Sequence, residues 1–568
     1  MTRFLKIFLC ASLSGADFAQ AAEANALDTI TVDQQWQLFL DDYVVGRATG
    51  FDRVVHHPRA MGVVIPADKP WETCCTAPNF FARRPDGTCI AFYNVLYWNP
   101  DPQSKTQPDR AQQYDAGTAY ATSPDGIHWE KPNLGLVEAP AGIDWDKSPP
   151  LPAPKGISKE NNLGVPFIIR DLGQLGNIKD PARRYALSYN GKAYFAAEIP
   201  DFLHDSNWTS KLVAAGGTFS PRGLALDFWD AQHEEWVGIA QNAVPHWIPA
   251  REIARFASKD LVHWKSDIVL APDPEDPHLE GYFDEPMSMY PFYADGIVFG
   301  LLSWFHGDRT HPDGGLVLQK TPEYPYIWPW ERKGVNEMRI TISRDGGRTW
   351  NRTCSRKAWV SHGTEEDSYD RLVLETSLPL RMGDEDWFYM CVFNGDHLTT
   401  RANAKQDTYY ANRVRKGEIA LYIQKHNRYV SLRAPIMREI PIQANARPGD
   451  GRLGGSNPKP VLITKPLLLA GKTLQLNVEA NRGVVRVAIA SAEPVETLKG
   501  TTLSTAPHMA ESQSLSGFSL DDCVPIHANS IEHTVQFKNG TTLESLSGRK
   551  VRLLFEMVDA DLYGFRVQ

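Results

Sequence analysis

The 568-residue sequence predicts an all-β protein, a five-bladed β-propeller followed by a C-terminal β-sandwich. It combines 16 Trp, 20 Tyr and 24 Phe with 40 Pro and 42 Gly, which suits short aromatic strands and tight turns and disfavours long helices. Short aromatic or β-branched runs alternate with turn residues from about 32 to 434, and helical periodicity is nearly absent. A strand–turn–Trp motif also recurs along this region.

The N-terminus has the pattern of an export signal. Arg3 and Lys6 precede a short apolar run at 7–16, and Ala19 and Ala21 form an A-x-A cleavage pattern. We therefore expect 1–21 to be a signal peptide and the mature protein to be periplasmic or extracellular. No later segment approaches the roughly 20 apolar residues needed to span a bilayer, so we expect no membrane span.

The recurring motif reads S-x-D, a turn, then Trp, and its copies lie at 123–129, 258–264 and 343–350. We expect the Asp carboxylate to cap the turn and the Trp to anchor the returning strand in an apolar layer. These residues are therefore assigned to folding rather than to chemistry. At about four strands and 40–50 residues per blade, with long insertions, the region 32–446 fits five blades better than seven.

The C-terminal region has a different sequence pattern. Residues 447–457 are rich in Gly, Pro, Arg and Asn, as expected of a linker, and 458–568 then alternates cleanly between apolar and polar residues. Short alternating strands over about 100 residues are typical of a β-sandwich.

Composition also limits the partners and cofactors. The 59 Lys+Arg and 68 Asp+Glu residues give a net charge of −9 without a dense basic run, which argues against nucleic acid or an anionic membrane as partner. Cys74 or Cys75 could form a local disulfide with Cys89 across the turn at 86–87. With no C-x-x-C pair we expect no structural zinc site, and we expect no cofactor. A structural calcium ion in the channel, held by carboxylates, Asn and water, stays open as an alternative, although no EF-hand-type loop supports it.

Several segments resemble one group of secreted bacterial propeller proteins. They are Q-L-F-L-D-D-Y at 37–43, Y-A-T-S-P-D-G-I-H-W-E-K-P-N-L-G at 120–135, Y-V-S-L-R at 429–433 and G-F-S-L-D-D-C at 517–523. This group looks related to the invertase/levanase and arabinanase glycoside hydrolases of families 32 and 43. The resemblance implies a five-bladed propeller with a C-terminal sandwich, and an oligo- or polysaccharide substrate cleaved by carboxyl groups that face the central channel.

A glycosidase needs two carboxyl groups across the scissile bond, one protonated and one ionised. We therefore searched for acids embedded in apolar or aromatic strands, where burial raises a carboxyl pKa. Glu285 is the preferred general acid, with its neighbour Asp284 as competitor, because Pro286 interrupts regular pairing beside them. The candidate catalytic acids are Asp42, Glu72, Asp227, Glu285 and Glu375.

Three of these acids also have a structural interpretation. Asp42 follows a strand and suits a turn, and Asp227 suits a turn between two strands. Glu375 suits a buried ion pair with Arg371 or Arg381; by strict alternation it would share a face with Val373 and not with Leu374.

Polar and aromatic residues near these acids suit sugar recognition. The candidate substrate-binding residues are Arg251, Asp284, Trp304, His306, Asn394 and His397. Two alternatives to hydrolysis remain open at this stage: a non-catalytic glycan-binding propeller, and a lyase or sialidase-like activity on the same scaffold.

Overall fold

The computed structural model describes residues 29–69, 72, 75–98, 114–132, 168–172, 180–189, 192–199, 213–214, 226–242, 251–276, 282–308, 334–352, 356–364, 368–395, 417–436, 460–492 and 514–568. These residues form strands, turns and bends, with short 3₁₀ segments at Pro181–Arg183, Lys538–Gly540 and Leu543–Leu546. The fold is therefore almost entirely β, as the composition predicts. The predicted signal at 1–21 and linker at 447–457 lie outside the described residues.

The chain divides into two compact units. One is Val55–Tyr429, here called the central unit; the other combines Met1–Val54 with Val430–Gln568 and is called the composite unit. The predicted boundaries at 32–446 and 458–568 differ from this division. Residues 32–54 and 430–436 lie in the composite unit because their strands pair with C-terminal strands, as shown below.

The N-terminal part of the composite unit contains four short strands. They are β1 (Ile30–Val32), β2 (Gln37–Leu38), β3 (Val45–Thr49) and β4 (Asp52–Val55).

The central unit begins with β5 (Arg59–Ile65) and a three-stranded sheet. This sheet, group 1, consists of β6 (Cys75–Arg83), β7 (Cys89–Trp98) and β8 (Tyr114–Ser123). In its register Cys75 lies opposite Leu96 and Cys89 lies opposite Arg83. Cys75 and Cys89 are therefore at opposite ends of the strand pair, too far apart for a disulfide, and Cys89 is a buried free thiol. The predicted Cys75–Cys89 bridge is wrong, and Cys74 lies outside the described residues.

Two four-stranded antiparallel sheets follow. Group 2 consists of β9 (Ile168–Asp171), β10 (Tyr185–Tyr189), β11 (Lys192–Ala196) and β12 (Val213–Ala214). Group 3 consists of β13 (Phe228–Asp230), β14 (Glu235–Asn242), β15 (Glu252–Ser258) and β16 (Lys265–Leu270).

An eight-stranded sheet completes the central unit and has two antiparallel sections. Group 4 consists of β17 (Tyr282–Ala294), β18 (Ile297–Asp308) and β19 (Gly334–Ser343). Group 5 consists of β20 (Leu372–Thr376), β21 (Leu380–Met382), β22 (Glu385–Phe393), β23 (Gly417–Lys425) and the N-terminal β5. A single parallel pair, Asn336 with Leu372, joins the sections. Group 5 thus takes its edge strand from the beginning of the unit, which ties the two ends of the unit together.

The turn motifs behave as predicted. Asp125 Oδ1 accepts a hydrogen bond from the His128 backbone N–H at 2.9 Å, and Trp129 Nε1 donates to the Gly126 carbonyl at 3.0 Å. Equivalent bonds form in the other two copies of the motif. The Trp129 ring packs edge-on against Phe81, with 5.5 Å between ring centroids. The assignment of these Asp and Trp residues to folding is confirmed.

The composite unit is completed by eight C-terminal strands. They are β24 (Val430–Ala434), β25 (Val461–Thr464), β26 (Leu467–Leu469), β27 (Leu474–Glu479), β28 (Val484–Ser491), β29 (Asn529–Thr534), β30 (Lys550–Val558) and β31 (Ala560–Val567).

These strands form two sheets with the N-terminal ones. The first has the order β1-β26-β30-β25-β3, with β28 also paired to β30; the second has the order β29-β27-β31-β24-β4, with β2 also paired to β31. Apolar side chains from both sheets join one buried core, which includes Val32, Leu476, Val487 and Phe565.

Candidate functional site

Four polar residues, in or directly beside the strands of groups 1, 3, 4 and 5, lie around the guanidinium of Arg170 in group 2. Arg170 Nη1 donates to the carbonyl oxygens of Asn79, at 3.4 Å, and of Ile169, at 3.1 Å. Its Nε lies 3.9 Å from Asp227 Oδ1, and its charge also acts on Tyr290 and Glu375. We call Asn79, Arg170, Asp227, Tyr290 and Glu375 the convergence cluster.

Two irregularities of the strands place members of this cluster. The β6–β7 register shifts between Pro78 and Phe80, which leaves Asn79 in a bulge. The β20–β22 register shifts between Val373 and Glu375, so Leu374 is skipped and strict alternation is broken. A bulge redirects a side chain and often does so beside a functional site. The predicted alternation along 371–378 is therefore wrong at Leu374.

Asp227 is the most strongly perturbed acid of the cluster. It is 2% exposed, and its Oδ2 accepts a hydrogen bond from the Ile239 backbone N–H at 2.7 Å. Oδ1 accepts no hydrogen bond from the described residues. Burial raises the pKa of Asp227 to about 7, although the Arg170 charge and the Ile239 N–H both act to lower it. A carboxyl with this pKa carries a proton for much of the time at neutral pH.

Glu375 and Tyr290 share the same surroundings. Burial raises the pKa of Glu375, and the charge of Arg170 opposes that shift. Burial, and next the charge of Glu375, also raise the pKa of Tyr290, which keeps its phenol protonated; its oxygen accepts a hydrogen bond from Ser288 Oγ at 3.0 Å.

The cluster also keeps contact with solvent. Glu375 and Tyr290 are only half-buried, and the Arg170 side chain is 17% exposed. The structural alternative of an ion pair with Arg371 or Arg381 does not describe Glu375, whose cationic neighbour is Arg170.

Glu285, the preferred general acid, is held differently. It is 4% exposed and accepts hydrogen bonds from the Arg251 backbone N–H at 2.9 Å and from Arg251 Nη1 at 2.8 Å. The Arg251 guanidinium also lies over the Phe305 ring, 5.7 Å from its centroid. A carboxylate whose two oxygens are engaged by one cationic residue is unsuited to donate a proton, so we no longer assign that role to Glu285.

Its neighbour Asp284 belongs to a buried chain of charges. Asp284 Oδ1 is hydrogen-bonded to His306 Nδ1, and Glu337 Oε1 lies 3.4 Å from His306 Nε2. Glu337 in turn accepts a hydrogen bond from Arg339 Nε at 2.6 Å. Burial acts to lower the pKa of His306, but hydrogen bonds to the two carboxylates outweigh it and raise the pKa to about 8.

Two of the predicted sugar contacts are enclosed by protein. His306 is 4% exposed and has carboxylates at both ring nitrogens, and Trp304 is fully buried. The guanidinium carbons of Arg339 and Arg352 lie over the Trp304 ring, 4.5 Å and 4.9 Å from its centroid. This burial leaves the Trp304 ring no exposed face for a sugar, so that part of the prediction is wrong.

Glu72 is a buried structural carboxylate. Oε2 accepts hydrogen bonds from the backbone N–H groups of Asp68 and Lys69, both at 3.0 Å, and from Lys131 Nζ at 2.7 Å, while Oε1 accepts from Tyr93 OH at 2.8 Å. These bonds fix the turn before β6. They give Glu72 a folding role in place of the predicted catalytic one.

The remaining candidates lie elsewhere. Asp42 is in the composite unit, where its 75% exposed side chain pairs with Arg53 at 2.5 Å; this is the turn interpretation. Asn394 is half-buried just after β22, and His397 lies outside the described residues.

The structure adds three polar side chains that the sequence analysis missed: Asn79, Arg170 and Tyr290. Arg170 follows two isoleucines in β9. The criterion that selected the acids, a single charged residue within an apolar strand, would also have selected Arg170 had it been applied to basic residues. Tyr290 lies in β17 among aromatic residues and gave no separate signal.

Among the described residues, no group of three or more His, Cys, Asp or Glu side chains is placed to hold a metal ion. The described part of the chain also contains no helix long and apolar enough to cross a bilayer.

The solved structures most similar to this chain include carbohydrate-active proteins, although the similarity is low. No family model matches the sequence, and no curated protein is significantly similar to it. A β-1,2-mannobiose phosphorylase from Listeria innocua is 11% identical, with a TM-score of 0.35 over 64% of this chain and 94% of its own. A glycosyl hydrolase from Bacteroides ovatus is 11% identical, with a TM-score of 0.32 over 68% of this chain and 96% of its own. A third structure comes from a report that the GH130 family of mannoside phosphorylases contains glycoside hydrolases that target β-1,2-mannosidic linkages. Its protein is also 11% identical, with a TM-score of 0.34 over 68% of this chain and 96% of its own.

Proposed function

We propose that this chain is a carbohydrate-active enzyme that cleaves a glycosidic bond, with Asp227 and Glu375 as its two carboxyl groups. The observation that carries the proposal is their joint placement beside Arg170, with both pKa values raised by burial. Glycoside hydrolysis requires one protonated and one ionised carboxyl at neutral pH.

The electrostatics of the cluster favour that mixed state. Burial disfavours the ionised form of both carboxyl groups, and the charge of Arg170 favours the ionised form of each. In the proposed mechanism Asp227, whose pKa is raised to about 7, keeps its proton near neutral pH while Glu375 is ionised. A pair that keeps one proton near neutral pH supplies the acid and the base that the reaction needs.

We assign the proton to Asp227. Its Oδ2 is fixed by the Ile239 N–H, which leaves Oδ1 to carry the proton toward the glycosidic oxygen. When Asp227 loses this proton, Arg170 stabilises the resulting carboxylate at a separation of 3.9 Å. Glu375, half-buried and ionised, then acts on the anomeric carbon, directly or by deprotonating a water molecule. The leaving group departs as a neutral alcohol.

Tyr290 and Asn79 have supporting roles in the proposal. The protonated phenol of Tyr290 is a hydrogen-bond donor for a sugar hydroxyl. The Asn79 side chain joins two groups, because its Oδ1 accepts from the Ile169 N–H at 3.0 Å and its Nδ2 donates to Asn94 Oδ1 at 3.2 Å. It thereby fixes β9, and Arg170 with it.

The proposal includes the architecture predicted from sequence. The five strand groups of the central unit are taken as the blades of a five-bladed propeller, with the cluster at their meeting point, and the two sheets of the composite unit as a β-sandwich. The strand β5, supplied to group 5 from the start of the unit, supports ring closure. The predicted signal peptide at 1–21 supports export to the periplasm or the cell exterior, where a polysaccharide substrate would be available.

The test is digestion of a panel of oligo- and polysaccharides by the native protein and by Asp227→Asn and Glu375→Gln. Each variant should lower kcat on a cleaved substrate by about 10²–10⁴-fold, the usual contribution of a general acid or base. The control is Asp384→Asn, a carboxylate 58% exposed in a turn, which should keep native activity.

Two results would contradict the proposal. Turnover by either cluster variant at the native rate would remove its carboxyl from the mechanism. Binding of a glycan without turnover by the native protein would favour the non-catalytic alternative.

A further inference from the structure

A cleft lies between group 3 and group 4, apart from the convergence cluster. Its volume is about 140 Å³. Its lining includes Trp229, Asp230, Ala231, Gln232, Tyr293 and Arg344. No member of the cluster lines it. Along their strands, Trp229 is two residues beyond Asp227 and Tyr293 three beyond Tyr290, about 7 Å and 10 Å toward the hairpin turns.

Two aromatic side chains of the cleft keep exposed surface. Trp229 and Tyr293 are both half-buried. The Trp229 ring is held by an edge-on contact with Trp236, with 4.9 Å between centroids. Within the described part of the chain, neither the Trp229 indole N–H nor the Tyr293 hydroxyl makes a hydrogen bond. Each therefore offers an apolar ring together with an available polar group.

Polar groups complete the lining. Gln232 is exposed and Arg344 half-buried. The Asp230 carboxylate is fixed by Arg348 Nη1 at 2.7 Å and by His233 Nδ1 at 2.9 Å. The turn at Gly346 packs so closely on it that a Cβ there would lie 2.4 Å from Asp230 Oδ2. The contacts of Asp230 with Arg348, His233 and the turn at Gly346 thus hold the wall of the cleft in place where group 3 meets group 4.

The volume of the cleft matches a ligand, or a part of a ligand, that consists of one six-membered ring. An engineered cavity of about 150 Å³ accommodates benzene, so a cleft of this volume holds one six-membered ring and not a long ligand. A sugar ring presents an apolar face of C–H groups and a rim of hydroxyls, which matches aromatic surfaces beside amide and guanidinium donors.

We propose that this cleft is a second glycan-binding site, which takes one sugar ring of a chain against Trp229 and Tyr293 and bonds its hydroxyls through Gln232 and Arg344. Binding there requires no bond cleavage, so the inference stands independently of the proposed hydrolysis. In an enzyme that acts on polymers, such a site would hold the substrate near the reacting end.

The experiment is affinity electrophoresis of the full chain in gels that contain mannan, arabinan, levan or pectin. The Asp227→Asn protein serves as parent, so that cleavage does not change the gel. We expect retardation of this parent in at least one gel, and about tenfold weaker or no retardation when Trp229→Ala and Tyr293→Ala are added. Tyr43→Ala, which removes a 42% exposed aromatic ring of the composite unit, is the matched control and should leave retardation unchanged.

A second variant covers the case in which loss of Trp229 prevents folding. Ala231 is exposed at the cleft, so Ala231→Trp fills the space without removing a packed side chain. This variant should also lose retardation, while turnover of a disaccharide by Ala231→Trp in the native background stays unchanged. Undiminished retardation of Ala231→Trp, or no retardation of the parent in any of the four gels, would overturn the proposal. Full turnover by Asp227→Asn would refute the hydrolytic mechanism alone.

Discussion

At the residue scale, the chemistry of the chain depends on how each carboxyl group is solvated and paired. Asp227 and Glu285 are both nearly inaccessible, at 2% and 4% exposure. Glu285 has Arg251 within 2.8 Å, whereas Asp227 has Arg170 only at 3.9 Å and so retains a pKa of about 7. Burial alone therefore does not identify a candidate general acid. Burial does so when the nearest cation is too far away to cancel the rise in the carboxyl pKa.

His306 should make the stability of the protein depend on pH. Its folded pKa of about 8 exceeds the ordinary 6.5, so its contribution is full below about pH 6.5 and is lost as pH rises through about 8. His306→Gln should cost about 2 kcal/mol of unfolding free energy at pH 6 and clearly less at pH 9. Urea unfolding at both pH values measures this, with the exposed turn residue His263→Gln as control. An equal cost at both pH values would contradict the charged state of His306.

At the element scale, short motifs were predictable, and so was the irregularity at Pro286, where the β17–β18 register shifts; two other bulges were not. The turn at Asp125 depends on residues within a few positions of one another, so the sequence alone predicts it. The bulges at Asn79 and Leu374 depend on the partner strand, so a period of two along β6 or β20 does not reveal them.

Gly346 tests the packing of one such turn. It adopts φ +70°, and an added Cβ would lie 2.4 Å from Asp230 Oδ2. Gly346→Ala should therefore lose at least about 1 kcal/mol more unfolding free energy than Gly383→Ala, which has a similar φ of +65° but open space around it. Chemical denaturation of the two variants checks this. Equal losses would show that only backbone strain matters and that the contact with Asp230 is absent.

At the scale of the whole molecule, residues distant in sequence build each unit and the candidate site. Ile30 pairs with Leu467 and Gln37 with Phe565, pairings that no local pattern contains, and the predicted domain boundary therefore missed them. The sequence did mark Asp227 and Glu375 as acids in apolar strands. It could not show that Arg170 lies beside both, because that proximity depends on which strands the fold brings together.

Phe39 tests the membership of the N-terminal segment in the composite unit. It is fully buried, and its ring centroid lies 5.9 Å from that of Phe565. Phe39→Ala should cost about 3–5 kcal/mol and increase proteolysis within 430–568. Mass spectrometry of a limited digest locates the cuts. New cuts confined to 55–429 would contradict the division into these two units.

The pH dependence of kcat/KM on a cleaved substrate tests the central claim, that Asp227 donates the proton beside Arg170. The native rate should fall above about pH 7 as Asp227 loses its proton. Because Arg170 lowers the pKa of Asp227, Arg170→Met should move this fall to higher pH, whereas Arg184→Met, which removes the partner of Asp171, should leave it in place. A native rate that stays constant through pH 7 and beyond, or a fall that does not move in Arg170→Met, would contradict the account.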